Sequence, residues 1–482
     1  MRLGSTLLTL FITGATLLAA DATTSFKFEF GPGPSRPDVL QVKADMAYNP
    51  ERGYGFEPGT TVQSVESGGA DAPHRGFVTA AAPFRFSVAV PEGNYRVTVT
   101  LGDAAGEATT TVKAEARRLM LERIHTAAGE FVTRSFNVSV RRPVLPDGTK
   151  LTLDVQEINA QGELLSPTWD DKLTLQFSDA RPAVAAVTVE PAPPGLTTVY
   201  LMSDSTVTDQ RTEPYGTWGQ MLPRWFGPGV VVANYAESGE TLKAFRAEHR
   251  FEKILSQLQP GDYVLMQFGT NDLNKTGPNA IWPEGYPLRD WSNSYVEGED
   301  YKNQLKHYAA EVKAHGGIPV IVSPMTKIDR TSGAINVNGL RHYPQDAMDA
   351  AREAGVASID LNALSIAVWQ GLGPALAPRG TVDGLHSNTY GGYLLSRCIV
   401  EGIRQAKLGL AKFLTDDAGT FDPKHPQPLP DDFKLPLEPR PAGGPGGRRG
   451  RSGPAAPVAP TATQPAAPAT APSASQPSSA AN

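Results

Sequence analysis

The sequence predicts two folded domains of different class. An all-β antiparallel sandwich spans residues 25–178, and an α/β domain with a parallel sheet covered by helices on both faces spans 198–412. Three observations carry this. Residues 25–177 alternate apolar and polar side chains in short runs broken by Gly and Pro. From Thr198 the runs become continuously apolar and alternate with helically spaced segments. The two ends of the chain have compositions that cannot build a core.

In the first part, Phe26, Phe28 and Phe30 alternate with Lys27 and Glu29 before Gly31-Pro32-Gly33-Pro34 breaks the run. Phe84–Val90 and Tyr95–Leu101 are strands joined by Pro91-Glu92-Gly93-Asn94, and Phe136–Val140, Leu151–Val155 and Leu173–Phe177 continue the period of two. Short strands at this spacing predict a sandwich. Residues 179–197 are rich in proline and read as a linker carrying one strand at Val187–Val189.

In the second part, strands are predicted at Thr198–Met202, Val230–Tyr235, Tyr263–Phe268, Ile318–Val322 and Ser358–Leu361. Helices are predicted near Trp218–Phe226 and over Phe245–Leu258, Tyr301–Ala314 and Tyr343–Ala354. Strand–helix alternation of this kind gives a parallel sheet. Ligands of such sheets bind beyond the carboxyl ends of the strands.

The ends differ in kind. Residues 1–22 read as a secretory signal: Arg2, an apolar run, then Ala20-Asp21-Ala22. This predicts a secreted or periplasmic protein with no stable membrane insertion after signal cleavage, the alternative being an N-terminal membrane anchor. Residues 413–440 read as an extended segment. Of the 42 residues of 441–482, 12 are Ala, 9 Pro and 6 Gly, so this tail is expected to be disordered, with a small basic patch at Arg448, Arg449 and Arg451. Lys plus Arg is 44 and Asp plus Glu is 50, a net charge of −6, which argues against nucleic acid as a partner. The single cysteine, Cys398, excludes an internal disulfide and a Cys-cluster metal site.

Candidate chemistry sits at strand ends. Ser205, in Ser203-Asp204-Ser205-Thr206-Val207, is a candidate nucleophile, although such a serine alone also reads as a helix cap. Gly239 after the second strand offers a backbone N–H, or is a turn glycine. Asn271, in Gly269-Thr270-Asn271-Asp272, offers a side-chain amide, or makes an Asx turn. Asp383-Gly384-Leu385-His386 puts a carboxylate three residues before a histidine, where it can fix the ring tautomer and leave Nε2 free to take a proton. Of the eight histidines, only His386 stands just before the helix that closes the domain. A loop with Trp282, Tyr286 and Trp291 follows the third strand. It can stack on sugar rings or simply pin itself to the body. No Gly-x-Ser-x-Gly elbow or His-Glu-x-x-His motif is present.

Taken together and in this order, Asp-Ser, Gly, Gly-x-Asn-Asp and Asp-x-x-His resemble the SGNH (GDSL-type) hydrolases. Tyr215–Leu222 and Gly261–Gly269 are similar to the rhamnogalacturonan acetylesterase branch. The N-terminal part, including Thr168–Leu175, is similar to a galactose-binding-like jelly roll. Two positions depart from the pattern: Ser203 stands where the family usually has Gly, and Thr270 where this branch often has His.

The resemblance implies a flavodoxin-like three-layer α/β/α hydrolase domain and removal of acetyl groups from pectic polysaccharide without metal or cofactor. It implies Ser205 as nucleophile and His386 as base oriented by Asp383. The N–H groups of Ser205 and Gly239 and the Asn271 amide would form an oxyanion hole. Thr270, Trp282, Tyr286 and Trp291 would contact substrate, an acetylated polysaccharide or oligosaccharide. Two other functions stay open at this point: a GDSL-type lipase, esterase or thioesterase of other acyl specificity, and a non-catalytic carbohydrate-binding protein.

Overall fold

Alternating apolar residues bury one face of a strand, and two such sheets must close on each other to exclude water. The computed structural model describes residues 25–33, 36–66, 68, 74–153, 167–273, 295–336 and 338–426. The signal at 1–22, the stretch 427–482, residues Asp154 and Val155, and the aromatic residues Trp282, Tyr286 and Trp291 lie outside the described residues.

The N-terminal strands are β1 (Phe26–Phe30), β2 (Leu40–Val42), β3 (Tyr54–Phe56), β4 (Gln63–Glu66), β5 (Gly76–Thr79), β6 (Phe84–Ala89), β7 (Gly93–Gly102), β8 (Ala108–Ala114), β9 (Arg118–Thr126), β10 (Phe131–Val140), β11 (Lys172–Arg181) and β12 (Val184–Pro191). One sheet has the order β10-β7-β12-β1-β2, with β5 and β4 attached through β12, and the other is β3-β6-β11-β8-β9. Phe28, Phe30, Val97, Val99 and Val187 of the first sheet pack on Phe86, Val88, Leu173 and Leu175 of the second. Phe86 meets Phe28 and Phe30 edge-on at centroid distances of 4.9 and 5.1 Å. Each buried phenylalanine of this kind contributes roughly 2 kcal/mol.

Two expectations are corrected here. Residues 179–197 are not a linker: β11 runs to Arg181, and β12 pairs with both β1 and β7 at the centre of the first sheet. The prolines misled because Pro182 lies between the two strands and Pro191 ends the second, where a missing N–H costs no ladder bond. Leu151–Leu153 form no strand. The Leu151 and Leu153 side chains are buried in the core of the α/β domain with Trp169, Tyr200 and Tyr235, and Thr152 N–H donates to the Glu248 carbonyl at 3.3 Å.

The α/β domain contains β13 (Thr197–Met202), α1 (Trp218–Met221), β14 (Val230–Asn234), α2 (Leu242–Ala247), α3 (Arg250–Gln257), β15 (Tyr263–Gln267), α4 (Gly298–Ala314), β16 (Ile318–Val322), β17 (Lys327–Ile328), β18 (Ile335–Asn336), α5 (Tyr343–Ala354), β19 (Ala357–Ile359), α6 (Leu361–Leu376) and α7 (Thr389–Gln405). Its parallel sheet has the order β14-β13-β15-β16-β19, the flavodoxin-like winding. Val199 and Leu201 face the layer of α1, α6 and α7. Tyr200 and Met202 face the layer of α2 to α5. Burial on both faces is why these strands read as unbroken apolar runs.

The helix expected over Phe245–Leu258 is two helices, broken at His249, whose φ of 61° is left-handed. The helix near Trp218–Phe226 becomes a 3₁₀ turn from Leu222, with Pro223 at its start. The segment from 413 includes a 3₁₀ turn at Asp416–Ala418 rather than being extended throughout. Among the described residues no helix is long and apolar enough to cross a membrane.

Candidate active site

The winding reverses between β13 and its neighbours, so the loops after β14, β13 and β15 open at one place. Each carries one of the residues singled out above. After β13 the chain turns sharply. Asp204 accepts from the N–H and hydroxyl of Thr206 (2.9 and 2.7 Å), and its carbonyl accepts from Val207 N–H at 3.0 Å. This fixes Ser205 at the head of the turn. The Ser203 hydroxyl, at the departing position, donates to the Gln267 carbonyl of β15 at 2.6 Å and so ties the turn to the next strand.

Ser205 Oγ lies 2.8 Å from His386 Nε2, and His386 Nδ1 lies 2.7 Å from Asp383 Oδ2. With Nδ1–H donating to the carboxylate, Nε2 presents its lone pair to the serine hydroxyl. Asp383 and His386 are held in a tight loop in which Val382 N–H donates to the His386 carbonyl at 2.8 Å. Gly384 has φ +90°, and a Cβ there would fall 2.3 Å from the Ile328 carbonyl oxygen, so the loop requires glycine. Asp383 Oδ1 accepts from Leu385 and His386 N–H (3.0 and 2.8 Å). The helix that follows is capped by Asn388 instead, whose side chain accepts from Gly391 N–H. Burial alone would raise the Asp383 pKa. The hydrogen bond and charge of His386 and the two N–H donors outweigh it and hold the carboxyl down at about 2.

Gly239, left-handed at φ 83°, follows β14, and Asn271 follows β15. Asn271 Nδ2 donates one hydrogen to the Glu240 carbonyl at 3.0 Å, joining the two loops. Asp272 joins them a second time, accepting from Gly269 N–H (2.8 Å) and Leu242 N–H (2.9 Å). Burial pushes the Asp272 carboxyl up to about 7. Thr270 is 3% exposed and belongs to the buried surroundings of Asp204. Burial likewise raises the Asp204 carboxyl, although the Thr206 donors, the His386 charge and the Thr270 hydroxyl oppose this. Among the described residues no group of three or more His, Cys, Asp or Glu is placed to hold a metal.

Two residues of the site were not foreseen. Tyr215 packs edge-on against His386, with ring centroids 6.0 Å apart. Asp272 fastens the two loops that present Gly239 and Asn271. Both stand inside runs already quoted as motifs, but their contacts depend on segments distant in sequence. A catalytic serine–histidine pair predicts that activity (kcat/KM) falls on the acid side, because only neutral imidazole accepts the Ser205 proton. Asp383, ionised down to about pH 2, adds no second step. Its contribution to stability is present above the unfolded carboxyl value and is lost only as pH falls toward 2. A flat profile from pH 8 to 5 contradicts this.

Residues 203–392 match the model of the GDSL-like lipase/acylhydrolase family, and residues 26–142 match the galactose-binding-domain-like part of β-agarase/YXIM esterase-like proteins. The chain is 27% identical over 400 residues to the uncharacterized esterase YxiM of Bacillus subtilis, covering 80% of this chain and 92% of that protein. It is 28% identical over 239 residues to the rhamnogalacturonan acetylesterase RhgT of Bacillus subtilis, covering 46% of this chain and 95% of that protein. The crystal structure of YxiM aligns at 24% identity with a TM-score of 0.40, covering 80% of this chain and 99% of that one. With its strand-end serine and histidine in place, the chain is a serine esterase whose GDSL-like lipase/acylhydrolase domain, matched over residues 203–392, follows a galactose-binding-like domain, matched over residues 26–142.

Proposed function

We propose that this esterase removes O-acetyl groups from plant cell-wall polysaccharide, rhamnogalacturonan in particular, and that residues 1–22 direct its export. The observation that carries the chemistry is the Asp383–His386–Ser205 chain of hydrogen bonds at the end of β13. The names of the acetylesterase relatives support the substrate class.

Ser205 Oγ attacks the acetyl carbonyl as His386 Nε2 takes its proton. The Ser205 and Gly239 N–H groups and the second Asn271 amide hydrogen stabilise the tetrahedral oxyanion, each donor lowering the barrier by roughly 3 kcal/mol. His386 then protonates the departing sugar oxygen. Water, activated by the same ring, hydrolyses the acetyl-enzyme and releases acetate.

The test is acetate release from acetylated rhamnogalacturonan and acetylated xylan, compared with turnover of p-nitrophenyl octanoate. Fast acetate release from the pectic polymer supports the proposal. Preference for the long-chain ester overturns it.

Lys327 supports a pectic substrate. It lies on the β17–β18 hairpin beside the Asp383 loop, half-buried, within electrostatic reach of Asp204 and Asp383 and with no ion pair among the described residues. Burial lowers its pKa, while the two carboxylates counteract this. An ammonium so placed can pair with a uronate carboxylate. Lys327→Met is expected to lower kcat/KM on acetylated uronate-containing oligosaccharides about fivefold, the equivalent of ~1 kcal/mol for a partly exposed ion pair. Acetylated xylo-oligosaccharides are expected to be unaffected. Equal loss on both removes Lys327 from substrate selection.

A further inference from the structure

The tip of the β8–β9 hairpin, Glu115–Arg117, is buried, although loop tips ordinarily face solvent. Ala116 is 2% and Arg117 1% exposed. Glu115 and Arg117 both adopt left-handed φ values, 55° and 69°, which non-glycine residues hold only when their surroundings over-determine them. Thr174 of the sandwich holds Glu115, and the surroundings of Ala116 and Arg117 belong to the hydrolase domain. Gln220 Nε2 donates to the Ala116 carbonyl at 2.7 Å. Arg117 Nη1 donates to the carbonyls of Gln210 (3.1 Å) and Tyr215 (2.8 Å). Its Nη2 pairs with the Glu213 carboxylate and reaches Thr389 Oγ1 at 3.4 Å. Next to it, Arg118 Nε donates to Asp209 Oδ2 at 2.7 Å, and Arg141 Nη2 donates to the same oxygen at 3.3 Å.

These acceptors lie on the two segments that align the reacting side chains. The stretch 205–216 begins with Ser205 and ends beside Tyr215. Gln210 Nε2 donates to the Ser205 carbonyl at 2.9 Å, and the Tyr215 ring meets His386 edge-on. Residues 386–389 are laced to the same stretch: Gly216 N–H donates to the Ser387 carbonyl at 3.1 Å, and Ser387 Oγ donates to the Gly216 carbonyl at 2.7 Å. One guanidinium from the sandwich therefore bonds both the chain that follows Ser205 and the chain that follows His386. We propose that Arg117, with Arg118 bracing the same stretch through Asp209, is a positioning residue for the Ser205–His386 pair. The sandwich is then a structural part of the catalytic centre and not a detachable binding module. The planar fork of arginine suits this task because its two terminal nitrogens reach separate acceptors, two carbonyls from Nη1 and a carboxylate from Nη2, a span that the single nitrogen of a lysine does not have.

The test uses the full chain and p-nitrophenyl acetate, an ester too small to need a polymer-binding surface. Arg117→Met is expected to lower kcat at least about tenfold, because small misalignments of reacting groups are costly. KM is expected to stay within about twofold, and phosphonate labelling of Ser205 to slow in parallel with kcat. Arg117→Lys keeps a charge for Glu213 but not both carbonyl contacts, and is expected to stay at least about threefold low. Asn137→Ala is the control. Asn137 Nδ2 donates to the Pro228 and Val230 carbonyls, 2.9 Å each, at the opposite end of the sheet. It is expected to lower Tm while leaving kcat within about twofold.

A kcat for Arg117→Met within twofold of the parent overturns the proposal. So does an equal loss of kcat per degree of Tm in Asn137→Ala. If Arg117→Met does not fold, a kcat for Arg117→Lys within twofold of the parent overturns it. The inference rests on Ser205 and His386 being the reacting pair. Full activity in Ser205→Ala would defeat that reading separately, whatever the Arg117 variants do.

Discussion

Ser205→Ala is expected to lower kcat on acetyl esters by at least about a thousandfold and to leave the fold intact. The substitution removes one oxygen, the one 2.8 Å from His386 Nε2. The contacts that shape the turn use other atoms: the Asp204 carboxylate with Thr206, and the Ser205 carbonyl with Gln210 Nε2. Tm is therefore expected to move by no more than a few degrees, as for a single lost hydrogen bond of ~1 kcal/mol. Retention of more than about a tenth of the activity means less than ~1.4 kcal/mol of barrier change, which a nucleophile cannot show.

Asp383→Asn is expected to cost about a hundredfold or more in kcat, well beyond what its loss of stability accounts for, for a reason the geometry makes specific. Asp383 Oδ1 accepts from two backbone N–H groups, and Oδ2 faces His386 Nδ1. An asparagine keeps its single carbonyl oxygen on the two N–H donors, because turning its amide toward them would set donor against donor. The NH₂ group then faces Nδ1. The imidazole must accept there and carry its proton on Nε2, where it offers Ser205 a hydrogen instead of a lone pair. A purely structural role for Asp383 predicts the reverse pattern: a lowered Tm with an unchanged rate. That result would leave a Ser205–His386 pair acting without a carboxylate.

The parts legible in the sequence are those whose signal is local. Both faces of β13 to β16 are covered, so these strands read as apolar runs. The Asp383–His386 spacing closes within one short loop. Phe26, Phe28 and Phe30 alternate because only one face of β1 is buried in the sandwich. The parts that escaped depend on partners far along the chain. The β8–β9 hairpin is not legible as buried, because Lys113, Glu115, Arg117 and Arg118 have the composition of a solvated turn, yet all are buried. The burial of Arg117 and Arg118 is tolerable because they meet carboxylates and carbonyls, several supplied by the hydrolase domain, and no local pattern encodes such a pairing. Leu151 and Leu153 have the period of a strand, but the apolar surface they fill lies on the α/β domain. His249 splits a helically spaced run because its left-handed backbone turns the chain between two short helices. Asp272 gains its role only once the loops after β14 and β15 converge, and Tyr215 only once the loop carrying His386 meets the stretch after β13.

The account stands most directly on the identity of the attacking atom. Treating the full chain with a p-nitrophenyl phosphonate and locating the adduct by peptide mass spectrometry tests it in one step. The account predicts one adduct per chain, on Ser205, with p-nitrophenol release and loss of acetyl-ester turnover advancing together, and no adduct in Ser205→Ala. An adduct on another residue, or turnover that persists once Ser205 is fully labelled, would contradict it.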